Sequence, residues 1–324
     1  MKTRSFRRLE KMTAILIVIM MLFSGPGMNN SFAAEEDEKS FAGQSIETLQ
    51  SETDPVIASD DDAALSKLTV KFLNIGCGDS ALLECEGKYL LIDAGVPTAR
   101  SGKVVNPAKY LSRQGITHLD YVICSHDHRD HTGRIPKIIT KFDCGKVYIS
   151  DYPQRSYKKV RRSLKKKGIT ASELKEGETL SMGSVSVCAI HIPKGTDSDP
   201  GDNKESRVNN SSYIIMVTHG KKKILFMGDA LVAEQRALLS SGADIRCDVF
   251  KVPHHGHNNA FLEQTYKAAS PTYTVLSASR PGRGKPDGSV QQYLESNSKL
   301  LYTFRNGTIT VTSDGNSISI ETER

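Results

Sequence analysis

The run Ser125-His126-Asp127-His128-Arg129-Asp130-His131 constrains this chain more than any other stretch. Four strong metal-binding side chains, His126, His128, Asp130 and His131, fall within six residues. They follow the apolar segment 119–124, which reads as a buried strand, and precede Thr132-Gly133. A tight loop at a strand end aims alternate side chains at two neighbouring points. That suits a pair of ions better than one closed tetrahedral site. A polar surface loop would hold these residues only by coincidence, since three of the chain's nine histidines sit here.

The surrounding pattern is an alternation of strands and helices from residue 67 onward. Strands are expected at 68–73, 80–85 and 88–92, with Glu86-Gly87 as the turn between the last two. Helical spacing runs over 104–114 and stops at Gly115. Beyond the strand at 119–124 come a helix at 135–142, a strand at 146–150 and a basic helix at 154–167. Pro136 is tolerated near the start of the first of these helices. The second half alternates in the same way. Strands are expected at 184–190, 212–218, 222–227, 247–252 and 273–277, and helices at 231–240, 260–268 and 290–297. Closing strands follow at 300–304, 308–312 and 317–320. Asp199-Pro200-Gly201-Asp202-Asn203 reads as a polar loop inside this half, not a domain boundary. The simplest packing is an α/β fold, a four-layer αββα sandwich of two mixed β-sheets flanked by helices.

The N-terminus has a different character. Lys2, Arg4, Arg7, Arg8 and Lys11 precede an apolar run at 14–23, and Ser31-Phe32-Ala33 offers small residues at the positions a signal peptidase reads. Residues 1–33 are expected to be a secretory signal, 34–65 an acidic flexible linker, and 66–324 the folded domain that carries the metal-binding loop. The protein is then secreted. Membrane attachment follows only if the apolar segment stays uncleaved.

Residues 1–33 hold five basic residues and one acid, so the net charge falls from +6 to about +2 without them. This is not the strongly basic footprint of a dedicated nucleic-acid binder. The run from Lys158 to Lys167 is nevertheless dense enough to keep a polyanion partner in view. An exported chain with six cysteines permits disulfides, although their irregular spacing inside apolar runs fits buried thiols as well. No CxxC pair occurs, which argues against a cysteine zinc knuckle.

Further residues suited to metal binding stand at strand ends. Gly228-Asp229 follows Ile224-Leu225-Phe226-Met227, and Pro253-His254-His255-Gly256 follows a strand ending at Val252. Gly76-Cys77-Gly78-Asp79 and Asp93-Ala94-Gly95 cap strands too. In this order, with Asn210-Ser211-Ser212 between them, the series resembles the metallo-β-lactamase fold superfamily. More closely, it resembles the hydrolase domain of the competence protein ComEC and its stand-alone secreted relatives. The HxHxDH loop carries the superfamily resemblance, and the Phe-Met-Gly-Asp and Pro-His-His-Gly elements carry the narrower one.

The resemblance implies a set of roles. His126 and His128 hold a first metal; Asp130, His131 and His255 hold a second; Asp229 bridges the two. His254 orients substrate or a proton, and Asp93 orients a ligand histidine. A hydroxide between the ions is the expected nucleophile. Two divalent ions are expected, zinc first and manganese second, because histidine and carboxylate ligands suit several metals. The chain departs from the superfamily pattern at Asn209-Asn210, where many members carry a further histidine, so Asn210 or water completes the first site. Cys77 stands where the competence-like branch usually has Gln, and Lys285 where it usually has His. His191 reads as a structural strand-end residue, and His118, His219 and His257 as surface or structural ones.

Fold alone does not choose the bond that is cut. A paired-metal site with a bridging carboxylate suits phosphodiester chemistry, with DNA or a teichoic-acid-type phosphoester as the partner. Two alternatives stay open: a lactone or β-lactam hydrolase of the same fold, and a polyanion-binding protein with a decayed site. No stable protein partner is implied.

Overall fold

Apolar side chains alternate in Leu68–Phe72 (β1), which buries Leu68, Val70 and Phe72 on one face and turns Thr69 and Lys71 to the other. In this computed structural model, residues 65–96, 104–150, 157–192, 203–279 and 286–324 are described. The expected signal, all of the acidic linker but Leu65, the turn at 199–202, Lys285 and the first residues of the expected basic helix lie outside the described residues.

The remaining strands follow in chain order: Ala81–Cys85 (β2), Lys88–Ile92 (β3), His118–Ile123 (β4), Asp143–Tyr148 (β5) and Ala171–Ser172 (β6). Then come Thr179–Met182 (β7), Val185–His191 (β8), Ile214–His219 (β9), Lys222–Phe226 (β10) and Val249–Lys251 (β11). Tyr273–Leu276 (β12), Lys299–Tyr302 (β13), Ile309–Ser313 (β14) and Ile318–Thr322 (β15) complete the set. One sheet has the order β15-β14-β1-β2-β3-β4-β5-β6, the other β13-β12-β11-β10-β9-β8-β7. The closing hairpin β14–β15 therefore leaves the second half of the chain and pairs antiparallel to β1 at the edge of the first sheet.

The two sheets bury a shared apolar layer that includes Val70, Leu83, Leu90 and Ile92 from one side and Val187, Ile215, Val217 and Ile224 from the other. Each outer face is covered by helices. Pro107–Arg113, Ile135–Lys141 and Lys158–Lys167 bury Leu111, Ile138 and Leu164 over the first sheet. Val232–Ser240, Glu263–Ala269 and Gly288–Asn297 bury Leu238, Tyr266 and Leu294 over the second. This is the αββα sandwich. Among the described residues no helix is long and apolar enough to cross a membrane.

Local chemistry moves several expected boundaries. The helix expected from residue 104 begins at Pro107, because Asn106 caps it and accepts the Lys109 N–H at 3.3 Å. The strand expected at 300–304 ends at Tyr302, where Thr303–Asn306 coils into one helical turn. Helix Lys204–Asn209 is capped by Asn203, the last residue of the expected polar loop. None of the six cysteines forms a disulfide; Cys77 and Cys188 are half-buried and the other four are buried.

Strand direction is what positions the site. In the first sheet β3, β4 and β5 run parallel; in the second β10, β11, β12 and β13 do. Loops leaving the carboxyl ends of parallel neighbours emerge on the same edge of a sheet. Beneath that edge Phe72, at the end of β1, stacks on Phe226, at the end of β10, with ring centroids 5.5 Å apart. Phe72→Ala removes this inter-sheet spacer and should cost about 3–5 kcal/mol. Urea unfolding is expected to show the midpoint fall with an unchanged slope.

Candidate metal centre

Five strand ends supply the centre. β4 leads into His126, His128, Asp130 and His131; β3 into Asp93; β10 into Asp229; β11 into His254 and His255; and β12 into Ser277. Across the gap between the sheets His131 Nε2 lies 3.2 Å from Asp229 Oδ1, and His255 Nε2 lies 3.2 Å from Asp130 Oδ2. Donor atoms of His126, His128 and Asp229 lie within 4.8 Å of one another, as do those of Asp79, His131, Asp229 and His255. Asp229 belongs to both groups. It is buried, with Oδ2 3.7 Å from both His126 Nε2 and His255 Nε2.

Each imidazole is held from its far side. His131 Nδ1 pairs with Asp93 Oδ2 at 2.8 Å, which leaves Nε2 facing Asp229. Asp93 in turn accepts the Ser125 N–H at 2.8 Å and the Ser125 hydroxyl at 2.6 Å. His255 Nδ1 donates to the Ser277 carbonyl at 2.9 Å. His128 Nδ1 lies 3.0 Å from His126 Nε2, and its Nε2 lies 2.9 Å from Glu205 Oε2 on helix Lys204–Asn209. Such outer partners set ring orientation and raise ligand basicity.

The backbone is strained at the same place. Asp93, His254 and His255 all have positive φ, at 58°, 45° and 55°. A non-glycine residue there costs on the order of 1–3 kcal/mol and persists only when its surroundings over-determine it. The His254 N–H donates to the Gly228 carbonyl at 3.2 Å, and the His257 N–H to the His254 carbonyl at 3.0 Å. The two histidines then diverge. His255 is fully buried, whereas His254 pairs Nδ1 with Asn259 Oδ1 at 2.9 Å and keeps Nε2 4.0 Å from Asp229.

The electrostatics fit a cation. His131 Nε2, His255 Nε2 and Asp229 Oδ1 are buried and make no well-formed hydrogen bond. Buried polar atoms are normally paired, so three converging orphans need a partner of another kind. Burial works to raise the Asp229 pKa, but the neighbouring His131 and His255 outweigh it and hold the carboxylate well below its ordinary range. For Asp130, too, burial pushes up, and the close approach of His255 together with the His131 charge wins and lowers it. Burial and the nearby His131 hold His126 well down, and so neutral. Against burial, the Asp229 and Asp93 carboxylates hold His131 well above the ordinary histidine range, a proton that a bound cation would displace. Ionised carboxylates and imidazoles drawn together in this way make a donor set for divalent ions, and the two groups sharing Asp229 fit a pair of them.

Other residues behave differently. Asn210 is buried and its Oδ1 accepts the Leu231 N–H at 3.0 Å, which holds the chain just after Asp229. His191 Nε2 lies 2.7 Å from the buried carboxylate of Glu234, in keeping with a structural role. His118 pairs with Asp143 at the surface, His219 is buried and contacts Ser313 in the other sheet, and His257 stacks on His254 at 5.1 Å.

Lys251 escapes the sequence reading altogether, and Asp79 figures there only as a strand cap. Lys251 is 2% exposed, and its Nζ sits 2.9 Å from Asp79 Oδ2 and 2.8 Å from the Val252 carbonyl. Its signal was a lone cation between Phe250 and Val252 in an otherwise apolar strand. Asp79 also approaches His255 Nδ1 at 3.6 Å.

Residues 77–280 match the model of the metallo-beta-lactamase superfamily. The chain belongs to that superfamily. It is 25% identical over 260 residues to "ComE operon protein 3" of Bacillus subtilis, covering 74% of this chain and 32% of that protein. It is 28% identical over 236 residues to "Recombination protein 2" of Haemophilus influenzae, covering 71% of this chain and 27% of that protein. The chain thus spans less than a third of these relatives' length. Among solved structures it is similar to the metallo-beta-lactamase fold protein YhfI of Bacillus subtilis, with a TM-score of 0.52 and 12% identity over 76% of this chain and 100% of that one. It is also similar to Igni18, a metallo hydrolase of Ignicoccus hospitalis, with a TM-score of 0.50 and 19% identity over 75% and 98%. CmlA, a diiron beta-hydroxylase of Streptomyces venezuelae, gives a TM-score of 0.51 at 13% identity over 77% and 54%. These structures share the fold. Family membership and the His/Asp cluster together support a metal-dependent hydrolase.

Two variants probe the construction of the site. Asp93→Asn loosens the His131 ring and should lower divalent-metal affinity by about 10–100-fold, read by competition with a chromophoric chelator. Lys251→Ala removes the cation that neutralises buried Asp79 and should cost about 3–5 kcal/mol in chemical denaturation.

Proposed function

We propose that this protein is an exported metal-dependent phosphodiesterase acting on a polymeric phosphoester, with DNA the favoured substrate. One observation carries the reading: the buried carboxylate of Asp229 stands between two groups of donor atoms drawn from both sheets. His126 and His128 would hold one ion, and His131 and His255 the other, with Asp229 shared between them and Asp130 joining the second from its place 3.2 Å from His255. Such a pair, when bound, supplies Lewis acidity to both the entering and the leaving oxygen of an in-line displacement and makes hydroxide available near neutral pH.

The chain's own residues do the rest. Asp93 fixes the His131 ring through Nδ1, and the Ser277 carbonyl fixes His255 in the same way. Lys251 neutralises Asp79 beneath the site, which limits the buried negative charge there. His254, anchored by Asn259, keeps Nε2 near Asp229 and is the group suited to deliver a proton to the departing oxygen or to orient the phosphoryl group. Asn210 keeps the segment after Asp229 in place.

A polyanionic substrate is favoured by what adjoins the ligand loop. Helix Lys158–Lys167 exposes Lys158, Lys159, Arg162, Lys165, Lys166 and Lys167. Its first turn is tied to that loop, since the Tyr157 N–H donates to the Asp127 carboxylate between His126 and His128. A cationic helix joined to the metal loop offers a track for a phosphate backbone leading toward the centre. The likeness to competence-type proteins points the same way.

Activity is expected on bis-p-nitrophenyl phosphate and on DNA, lost after chelation and restored by zinc or manganese. Asp229→Ala should abolish turnover while the protein stays folded, as read by circular dichroism. Hydrolysis of a lactone or a β-lactam in place of the phosphodiesters would select the carboxylic alternative. DNA binding that chelator leaves unchanged, with no turnover of any of these compounds, would select the decayed-site alternative.

A further inference from the structure

Gly76-Cys77-Gly78-Asp79, between β1 and β2, is pressed against the Asp130 turn. The Asp79 N–H donates to the Asp130 carbonyl at 3.2 Å. Gly78 has φ +124°, and a Cβ there would overlap that same carbonyl oxygen, so only glycine permits the approach. The contact brings the thiol of the preceding residue to the metal centre. Cys77 Sγ, an Asp130 carboxylate oxygen and a His255 ring nitrogen lie within 4.8 Å of one another. A second observation points to a ligand at this spot: His255 is fully buried, and its Nε2, though 3.2 Å from Asp130 Oδ2, makes no well-formed hydrogen bond. Cys77 is half-buried and not in a disulfide.

We propose that Cys77 Sγ is a further donor at the site built by Asp130 and His255, giving it a mixed sulfur, oxygen and nitrogen ligand set. This rests on the metal-centre reading above and adds to it a preference among metals. A thiolate is a soft ligand, which Zn²⁺ and Cd²⁺ accept and for which Mn²⁺ and Mg²⁺ have little affinity. Binding deprotonates the thiol, and its proton passes to solvent. The site with sulfur therefore selects thiophilic ions where carboxylate and imidazole alone would admit several. The competing account makes Cys77 a small side chain that merely fills space beside Asp130.

Cobalt separates the two accounts without recourse to activity. The purified protein, stripped with chelator and reloaded with Co²⁺, is expected to show a sulfur-to-cobalt charge-transfer band in the near ultraviolet. Cys77→Ser should bind Co²⁺ and unfold at the same temperature yet lack the band, whereas Cys188→Ser, at the other half-buried thiol, should keep it. In chelator competition Cys77→Ser should lose at least about tenfold in Cd²⁺ affinity, the scale on which even outer-shell partners act, and change little toward Mn²⁺. Cobalt bound to the unaltered protein with no sulfur band, or a band that survives Cys77→Ser, overturns the role of Cys77 and leaves the metal centre standing. Failure of Co²⁺, Zn²⁺ and Mn²⁺ alike to bind overturns both.

Discussion

Asp229 is a carboxylate taken almost entirely out of water, and the rest of the site can be understood as what makes that tolerable. An isolated buried charge costs several kcal/mol unless partners replace its hydration. Here the partners are imidazoles: His131 at 3.2 Å, with His126 and His255 at 3.7 Å. Asp93, equally buried, is matched by His131 and by Ser125, and Asp79 by Lys251. The compensation is incomplete within the protein, because three of the converging atoms keep no hydrogen bond. A divalent cation is the natural complement of that remainder.

Neither sheet could supply this arrangement alone. The His126–His131 loop and Asp93 belong to one sheet; Asp229, His255 and Ser277 belong to the other. The stacked pair Phe72 and Phe226 sits under the seam, one ring from each side. Lys251 and Asp79 bridge the same seam with opposite charges. The precision of the site is thus inherited from sheet-on-sheet packing, and the positive φ values of Asp93, His254 and His255 are strain that this packing holds in place.

The fold by itself does not fix the chemistry, since a diiron hydroxylase shares the same layers at a TM-score of 0.51. Reaction type must therefore come from the site and its approaches. What adjoins the site here is cationic: helix Lys158–Lys167, anchored through Tyr157 to the Asp127 side chain. What adjoins it on the other flank is sulfur, at Cys77. The helix underlies the proposed polyanionic substrate, and Cys77 the proposed preference among metals.

Much of the fold was legible along the chain because its signals are local. Alternation in 68–72 and 88–92 and the stop at Gly115 each depend on a few adjacent residues. The short strands β6 and β7 carry too few residues to show a period, so they went unread. The cluster 126–131 was legible because four donor atoms stand within six residues, and Gly228-Asp229 and His254-His255 because each follows an apolar run. Lys251 was not, since nothing nearby in sequence pairs with it and its partner Asp79 lies far back along the chain. By itself, then, the sequence determined the layers, through periodicity, and brought out side chains suited to metal binding at strand ends, through spacing. Tertiary structure alone decided that β14 and β15 return to the first sheet, that Asp229 lies between two donor groups, and that Cys77 reaches Asp130. Those relations are set by contacts between distant segments, and such contacts exist only once the two sheets have closed on each other.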